Sequence, residues 1–245
     1  MSGRRLVQLA AVGSVFTRCR FERLRVESAS LGAGVMVSEY IDCSFDGSRI
    51  ARMGSGFTRF VRCSFRDVDL RGWESHYLEL VDCVFTGQIR SSQFWGRPEP
   101  LGARNRFAAY VRRCEQDGIE PSAEQLYLRE RNEFRDNDFS GADLVDVYFR
   151  YGIDLSQQRL PTGEDYLYLP DGQAAIDRAL ALLTDHPPAD DVRAKADRFL
   201  RSVLGREIDA GQRQLLLRAK DFQRRGAIPP YVEVAMDLLH QAVAA

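Results

Sequence analysis

A strict twenty-residue period restricts the fold of this chain more than any other feature. Three segments share one pattern: Tyr40-Ile41-Asp42-Cys43-Ser44-Phe45, Phe60-Val61-Arg62-Cys63-Ser64-Phe65 and Leu80-Val81-Asp82-Cys83-Val84-Phe85. Each begins twenty residues after the last. A looser copy, Val15-Phe16-Thr17-Arg18-Cys19-Arg20-Phe21, reads with one extra residue before its cysteine. It lies twenty-four residues upstream of the Cys43 copy, which places about four inserted residues near Gly32 and Gly34. Fixed periods of this kind belong to repeat architectures, in which each unit completes its core only against its neighbours.

Inside the period runs a five-residue step. Every fifth residue from Phe45 gives Phe45, Ile50, Ser55, Phe60, Phe65, Leu70, Ser75, Leu80 and Phe85, a mostly large and apolar series. Two residues before each stand Cys43, Ser48, Met53, Thr58, Cys63, Val68, Trp73, Leu78 and Cys83, mostly small or apolar, with Trp73 the exception. Residues two apart in extended chain point the same way. Each block of five therefore turns one large and one smaller side chain inward and then bends. The step returns over residues 132–151, which form one full coil; Gly152 adds a residue, and Ile153 and Leu155 continue the inward pair. An antiparallel sheet of alternating residues would need irregularly spaced hairpins and would not produce three Cys-x-Phe copies in register.

These blocks resemble the pentapeptide-repeat family, whose consensus is similar to Ala-(Asp/Asn)-Leu-x-x. Ala142-Asp143-Leu144 matches it outright and Asn137-Asp138-Phe139 nearly so, and the likeness covers roughly residues 6–93 and 132–156. The resemblance implies a mainly β fold, a right-handed quadrilateral parallel β-helix with twenty-residue coils. It also implies one class of partner, since some members mimic DNA and bind DNA gyrase or topoisomerase IV, protecting it from quinolone-like inhibitors. Such mimicry calls for a long, strongly negative rod. Here arginines such as Arg18, Arg20, Arg23, Arg25, Arg62 and Arg66 interrupt the negative charge.

The remaining chain reads as helical. Between Phe94 and Arg131 the five-step disappears. Residues 103–116 form a helix with Phe107, Tyr110 and Val111 on one face, and Asp117-Gly118 ends it. Pro121 and Ser122 open a second helix, with Ser122 and Gln125 spaced as a capping box ahead of Leu126 and Leu128. The pair makes a helical hairpin across the side of the coils. Residues 157–170, with Tyr166 and Tyr168, are a connector. Four helices follow over about 172–184, 189–204 with Gly205 at its end, 209–224, and from Pro229-Pro230 to Ala244. The expected organisation is thus coils over 1–93, a helical insertion over 94–131, a last coil over 132–156, and a connector with an α-helical C-terminal domain over 157–245.

Three cysteines in one column, Cys43, Cys63 and Cys83, would sit one strand spacing apart and point the same way. That suits neither a tetrahedral zinc site nor a disulfide. They read as small buried fillers, and Cys114 as partly exposed. His76, His186 and His240 fall in three different regions, and no phosphate loop or catalytic triad order is visible. Asp67 with Asp69 are outward, solvated charges, and Asp190-Asp191 is a helix start. Trp73 and Trp95 are expected to pack against the insertion, and Gly54-Ser55-Gly56 to form a bend or bulge. No catalytic, cofactor-binding or metal residue is assigned, so the expectation is no enzyme and no cofactor.

Charge and composition narrow the partners. The 34 basic and 35 acidic side chains leave a net charge of −1, which speaks against a whole-protein grip on nucleic acid or an anionic membrane. Only Lys195 and Lys220 are lysines, a bias that fits an arginine-rich genome. Direct nucleic-acid binding through the N-terminal arginines would lack an aromatic platform. No run of eighteen apolar residues spans a membrane, no secretory signal opens the chain, and the expected address is the cytoplasm. The leading functional expectation is a non-catalytic protein-interaction scaffold, with DNA gyrase mimicry as the alternative and homodimerisation through the C-terminal helices as a further partner expectation.

Overall fold

A computed structural model describes residues 2–33, 36–98, 103–120, 130–185 and 189–244. The chain divides into two compact units, one of Met1–Tyr148 with Gln157–Pro161, the other of Phe149–Ser156 with Thr162–Ala245.

The first unit is a parallel β-solenoid of about four turns. Its pairings reproduce the period: Tyr40 faces Phe60, Leu78 faces Thr58, and Phe85 faces Phe65, each twenty residues on. Both inward series named above are buried in full, from Cys43 and Phe45 to Cys83 and Phe85. The interior is therefore a set of columns. Phe21, Phe45, Phe65, Phe85 and Phe139 stack with ring centroids 5.0, 4.8, 4.9 and 4.5 Å apart and planes within 15° of parallel. Phe16, Tyr40 and Phe60 make a second column at 5.0 and 4.8 Å. Burial and ring stacking act together here, and each coil supplies the backbone partners of the next.

Irregularities fall where the spacing changes. Arg5 pairs with Arg25, but Arg25 pairs with Arg49 and Phe16 with Tyr40, so four residues enter between Ser30 and Ser38. The expected extra residue before Cys19 is not there. Val15 pairs with Glu39, one position before the Tyr40 motif, so the copy begins at Phe16 and runs in step. Gly87 lies opposite Val68 with φ +89°, one residue short of the period; a Cβ there would overlap the Val68 backbone. One bend position recurs with positive φ as Arg18, Asp42, Arg62, Asp82 and Asp136, at 51–57°. Aspartate tolerates this left-handed conformation better than most residues.

The strand Val84–Trp95 keeps Phe94 in the core. Gly96 accepts a hydrogen bond from the Asn132 N–H at 2.9 Å, and the Asn132 amide donates to the carbonyls of His76 and Trp95. The coil thus closes across the base of the insertion. Within it, α1 (Ala103–Asp117) buries Tyr110 and Cys114 against Phe57 and Tyr77, with Val111 beside them. Cys114 is 3% exposed, which corrects the expectation of partial exposure: it stands four residues after Tyr110, on the same helix face. The Phe107 side chain and the expected helix at Pro121, Ser122, Gln125, Leu126 and Leu128 lie outside the described residues, so the hairpin itself does too.

Residues 157–159, expected as connector, continue the solenoid. Phe139 donates to the Arg159 carbonyl at 2.7 Å, and Asp136 to that of Gln157 at 2.9 Å.

The second unit adds a two-stranded sheet to its helices, which are not the four expected. Its helices are α2 (Gly172–Asp185), α3 (Asp190–Arg198), α4 (Gly205–Asp209) and α5 (Pro230–Ala244), and π-helical Phe199–Leu204 joins α3 to α4. Gly205 does not end a helix. It sits at φ −57° and donates to Leu200, carrying the turn onward. The α-helix expected over 209–224 does not form: Gly211, with φ +88°, follows the end of α4, Leu215–Leu217 is a strand paired antiparallel with Leu167–Leu169, and Ala219–Phe222 is a short 3-10 helix. Leucine favours helices, but Leu215 and Leu217 are buried here and pairing decides the outcome. Ala175, Ile176, Ala179, Phe199, Leu200, Val232, Ala235 and Leu239 form the core with both strands. Gln212 accepts from Gly152 and Ile153, and its amide donates to the carbonyls of Ile153 and Gln214.

Candidate functional site

The reactive side chains of the solenoid are taken up by its backbone. Cys43 donates to the Phe16 carbonyl at 3.3 Å, Cys63 to Tyr40 at 3.2 Å and Cys83 to Phe60 at 3.6 Å. In the next coils Asn137 donates to Leu80 and Gln158 to Phe134, both at 2.9 Å. One inward column thus places a donor on each successive carbonyl, as thiol or as amide. Burial pushes the Cys43 thiol up to about 11. The hydrogen bond with Cys83, followed by burial, raises Cys63 as well. Thiols held protonated are neither nucleophiles nor metal ligands. All five cysteines are free, and no group of three metal-binding side chains occurs among the described residues.

Other singled-out residues divide the same way. Trp73 is fully buried among Phe60, Phe65, Phe85 and Phe94, so it belongs to the coil interior and not to the insertion contact. Its Nε1 donates to Ser55 Oγ, which gives the polar inward Ser55 its place opposite a large ring. Trp95 lies against His76, with centroids 3.9 Å apart and planes tilted by 33°. His240 is exposed on α5, and His186 lies outside the described residues. Asp190 and Asp191 occupy the first turn of α3. A Cβ on Gly56 would overlap the Gly32 carbonyl, so that glycine permits a close approach of adjacent coils.

Function can then reside on the outward columns, which the register brings together. Arg59 lies between Glu39 and Glu79 and binds Glu133 at 2.8 Å and Glu79 at 3.7 Å. Arg62 grips Asp42 with two hydrogen bonds of 2.7 and 3.0 Å, and that contact holds the Asp42 carboxyl below its usual range. A further column reads Arg5, Arg25, Arg49, Asp69, Gln88 and, by the Gln88–Asp143 hydrogen bond of 2.7 Å, Asp143. Its cationic end borders a recess of about 400 Å³ reached also by Glu27, Ala51 and Arg71. Of these arginines the sequence reading singled out only Arg25. Counting back twenty residues gives Arg5, and counting forward twenty-four gives Arg49, so the column was visible once the inserted residues were taken into account.

No protein-family model, curated protein or solved structure compared with the chain matches it. No described helix is long and apolar enough to cross a membrane.

Proposed function

We propose that this chain is a non-catalytic interaction scaffold built on a right-handed, four-sided coil of pentapeptide repeats. The observation that carries the reading is the division of labour between columns. Inward positions hold aromatic rings, and thiols, hydroxyls and amides that satisfy neighbouring backbone. Outward positions hold charged side chains whose identity the core does not fix. Repeat folds use such surfaces for recognition, because exposed residues change without disturbing the ladder. Mixed-sign columns, with Arg59 among glutamates and Arg62 on Asp42, favour an ordinary protein partner over mimicry of a uniformly negative nucleic acid. Pairing of two copies through the C-terminal helices draws on less. The buried apolar residues of α5 are used inside their own unit, and among its described residues Val203 and, on α5, Val243 are the large apolar side chains left exposed.

Affinity purification from the native cell, with wild type and with charge reversals on separate outward columns (Arg59→Glu, Arg62→Glu), tests this. A partner lost with one column and kept with another supports the scaffold. Retention of the same partners by every reversal sinks it. Inhibition or protection of DNA gyrase in a supercoiling assay would move the proposal to topoisomerase binding.

A further inference from the structure

We infer that the N-terminal coils carry a binding site for a compact oligophosphate anion, centred on Arg25 and Arg49. The two residues are direct register partners on adjacent parallel strands, and Arg5 is the next partner in the column. Three guanidinium side chains therefore leave one surface about one strand spacing, ~4.8 Å, apart. Like charges placed directly opposite in a sheet repel. Nothing in the fold requires arginine at these outward positions, because the neighbouring inward column of Leu6, Val26, Ile50 and Leu70 supplies the packing.

The ion pairs around the recess leave a defined remainder. Glu27 faces Arg5 at 3.8 Å, and Asp69 is held by Arg90 at 2.6 Å and Arg71 at 3.7 Å. Arg25 and Arg49 have no side-chain ion pair or hydrogen bond among the described residues. Both carboxylates near the recess are thus engaged, while two exposed guanidinium groups stand beside a hollow of about 400 Å³. Ala51 also lines the hollow, and its small side chain leaves space there. Guanidinium groups present paired donors that match phosphate oxygens in bidentate fashion.

The extent of the column selects the ligand class. Basic side chains run in this column only from Arg5 to Arg49, about 10 Å along the stack at ~4.8 Å per strand, and Asp69, Gln88 and Asp143 follow. A duplex would run its phosphates onto that acidic end. Two or three linked phosphoryl groups fit within the basic stretch.

The test is calorimetric titration of the full chain with inorganic tripolyphosphate at low salt, beside Arg25→Gln/Arg49→Gln and, as a control on another column, Arg62→Gln. Circular dichroism establishes that each variant is folded. The expected result is saturable binding by wild type and Arg62→Gln, with at least about tenfold weaker binding by the double variant, as loss of charge-assisted hydrogen bonds implies. Absence of binding by wild type at millimolar ligand overturns the proposal, and so does equal affinity in the double variant. Tighter binding of a short DNA duplex than of tripolyphosphate overturns the ligand class.

Discussion

Phe65→Ala measures how far the solenoid is held together by its central ring column. Phe65 is 0% exposed and stacks on Phe45 at 4.8 Å and on Phe85 at 4.9 Å, with planes 6° and 8° from parallel. Phe60 and Trp73 meet its ring at 5.4 and 5.7 Å. Loss of the buried ring removes about 2–3 kcal/mol of transfer free energy. Two stacked pairs add about 0.5–1.5 kcal/mol each, so the sum is about 3–6 kcal/mol, overlapping the ~3–5 kcal/mol usual for Phe→Ala in cores. Phe21, 9% exposed at the end of the column with one stacked neighbour, forfeits one pair and less burial. Its replacement by alanine should cost about 1–2 kcal/mol less than that of Phe65. Urea titration followed by tryptophan fluorescence reports on the right unit, since Trp73 and Trp95 are the two tryptophans and both belong to the solenoid. A Phe65→Ala loss below about 1 kcal/mol, the level of a surface change, would refute the inward assignment. Equal losses at Phe21 and Phe65 would refute the nearest-neighbour account of the column.

Four further outcomes follow from single contacts. Tyr40 buries a hydroxyl that has no hydrogen-bond partner among the described residues, so Tyr40→Phe should stabilise the solenoid by about 1–2 kcal/mol in the same urea assay; destabilisation would reveal a missed acceptor. Cys63→Ala strips the Tyr40 carbonyl of its donor and should cost about 1–3 kcal/mol, whereas Cys63→Ser keeps a donor, as Ser48 does for Phe21, and should cost less. Iodoacetamide at mildly alkaline pH should label Cys19 first, the other four cysteines being buried, and mass spectrometry showing early label on Cys43 or Cys63 would contradict the raised thiol values. Burial raises Glu207 above its ordinary 4.5 despite the 2.7 Å contact with Arg150. The sign of that shift means its contribution is full below 4.5 and declines as pH rises through the raised value. Glu207→Gln should therefore flatten the loss of stability with rising pH, and calorimetric scans showing an unchanged slope would refute it.

What the sequence disclosed, and what it withheld, has a physical basis in how each unit stores its information. In the solenoid one local rule, two inward residues per block of five, repeats often enough to outweigh deviant positions. Trp73, expected against the insertion, breaks the small-residue series, yet the five-residue step holds it inside the coil, where its Nε1 meets the small Ser55. The columns of exposed charge were less legible. A four-residue insertion shifts every register after it, so Arg5, Arg25 and Arg49 do not share one spacing in the text although they share one column in the fold.

The second unit has no such redundancy, and local propensity misled there. Leu215-Leu216-Leu217 looks helical alone; its state depends on Leu167–Leu169, almost fifty residues away, which no local pattern announces. Gly205 looks like a stop, yet buried Phe199, Leu200 and Leu204 on the preceding turn hold the helix through it, and tertiary packing outweighs the ~1 kcal/mol handicap of a glycine. The same contrast bears on function. A repeat exposes its outward residues in predictable columns while leaving their identity free. On the proposed scaffold reading, recognition would enter as departures from the rule, and Arg25 in register with Arg49, neither held in an ion pair among the described residues, is such a departure.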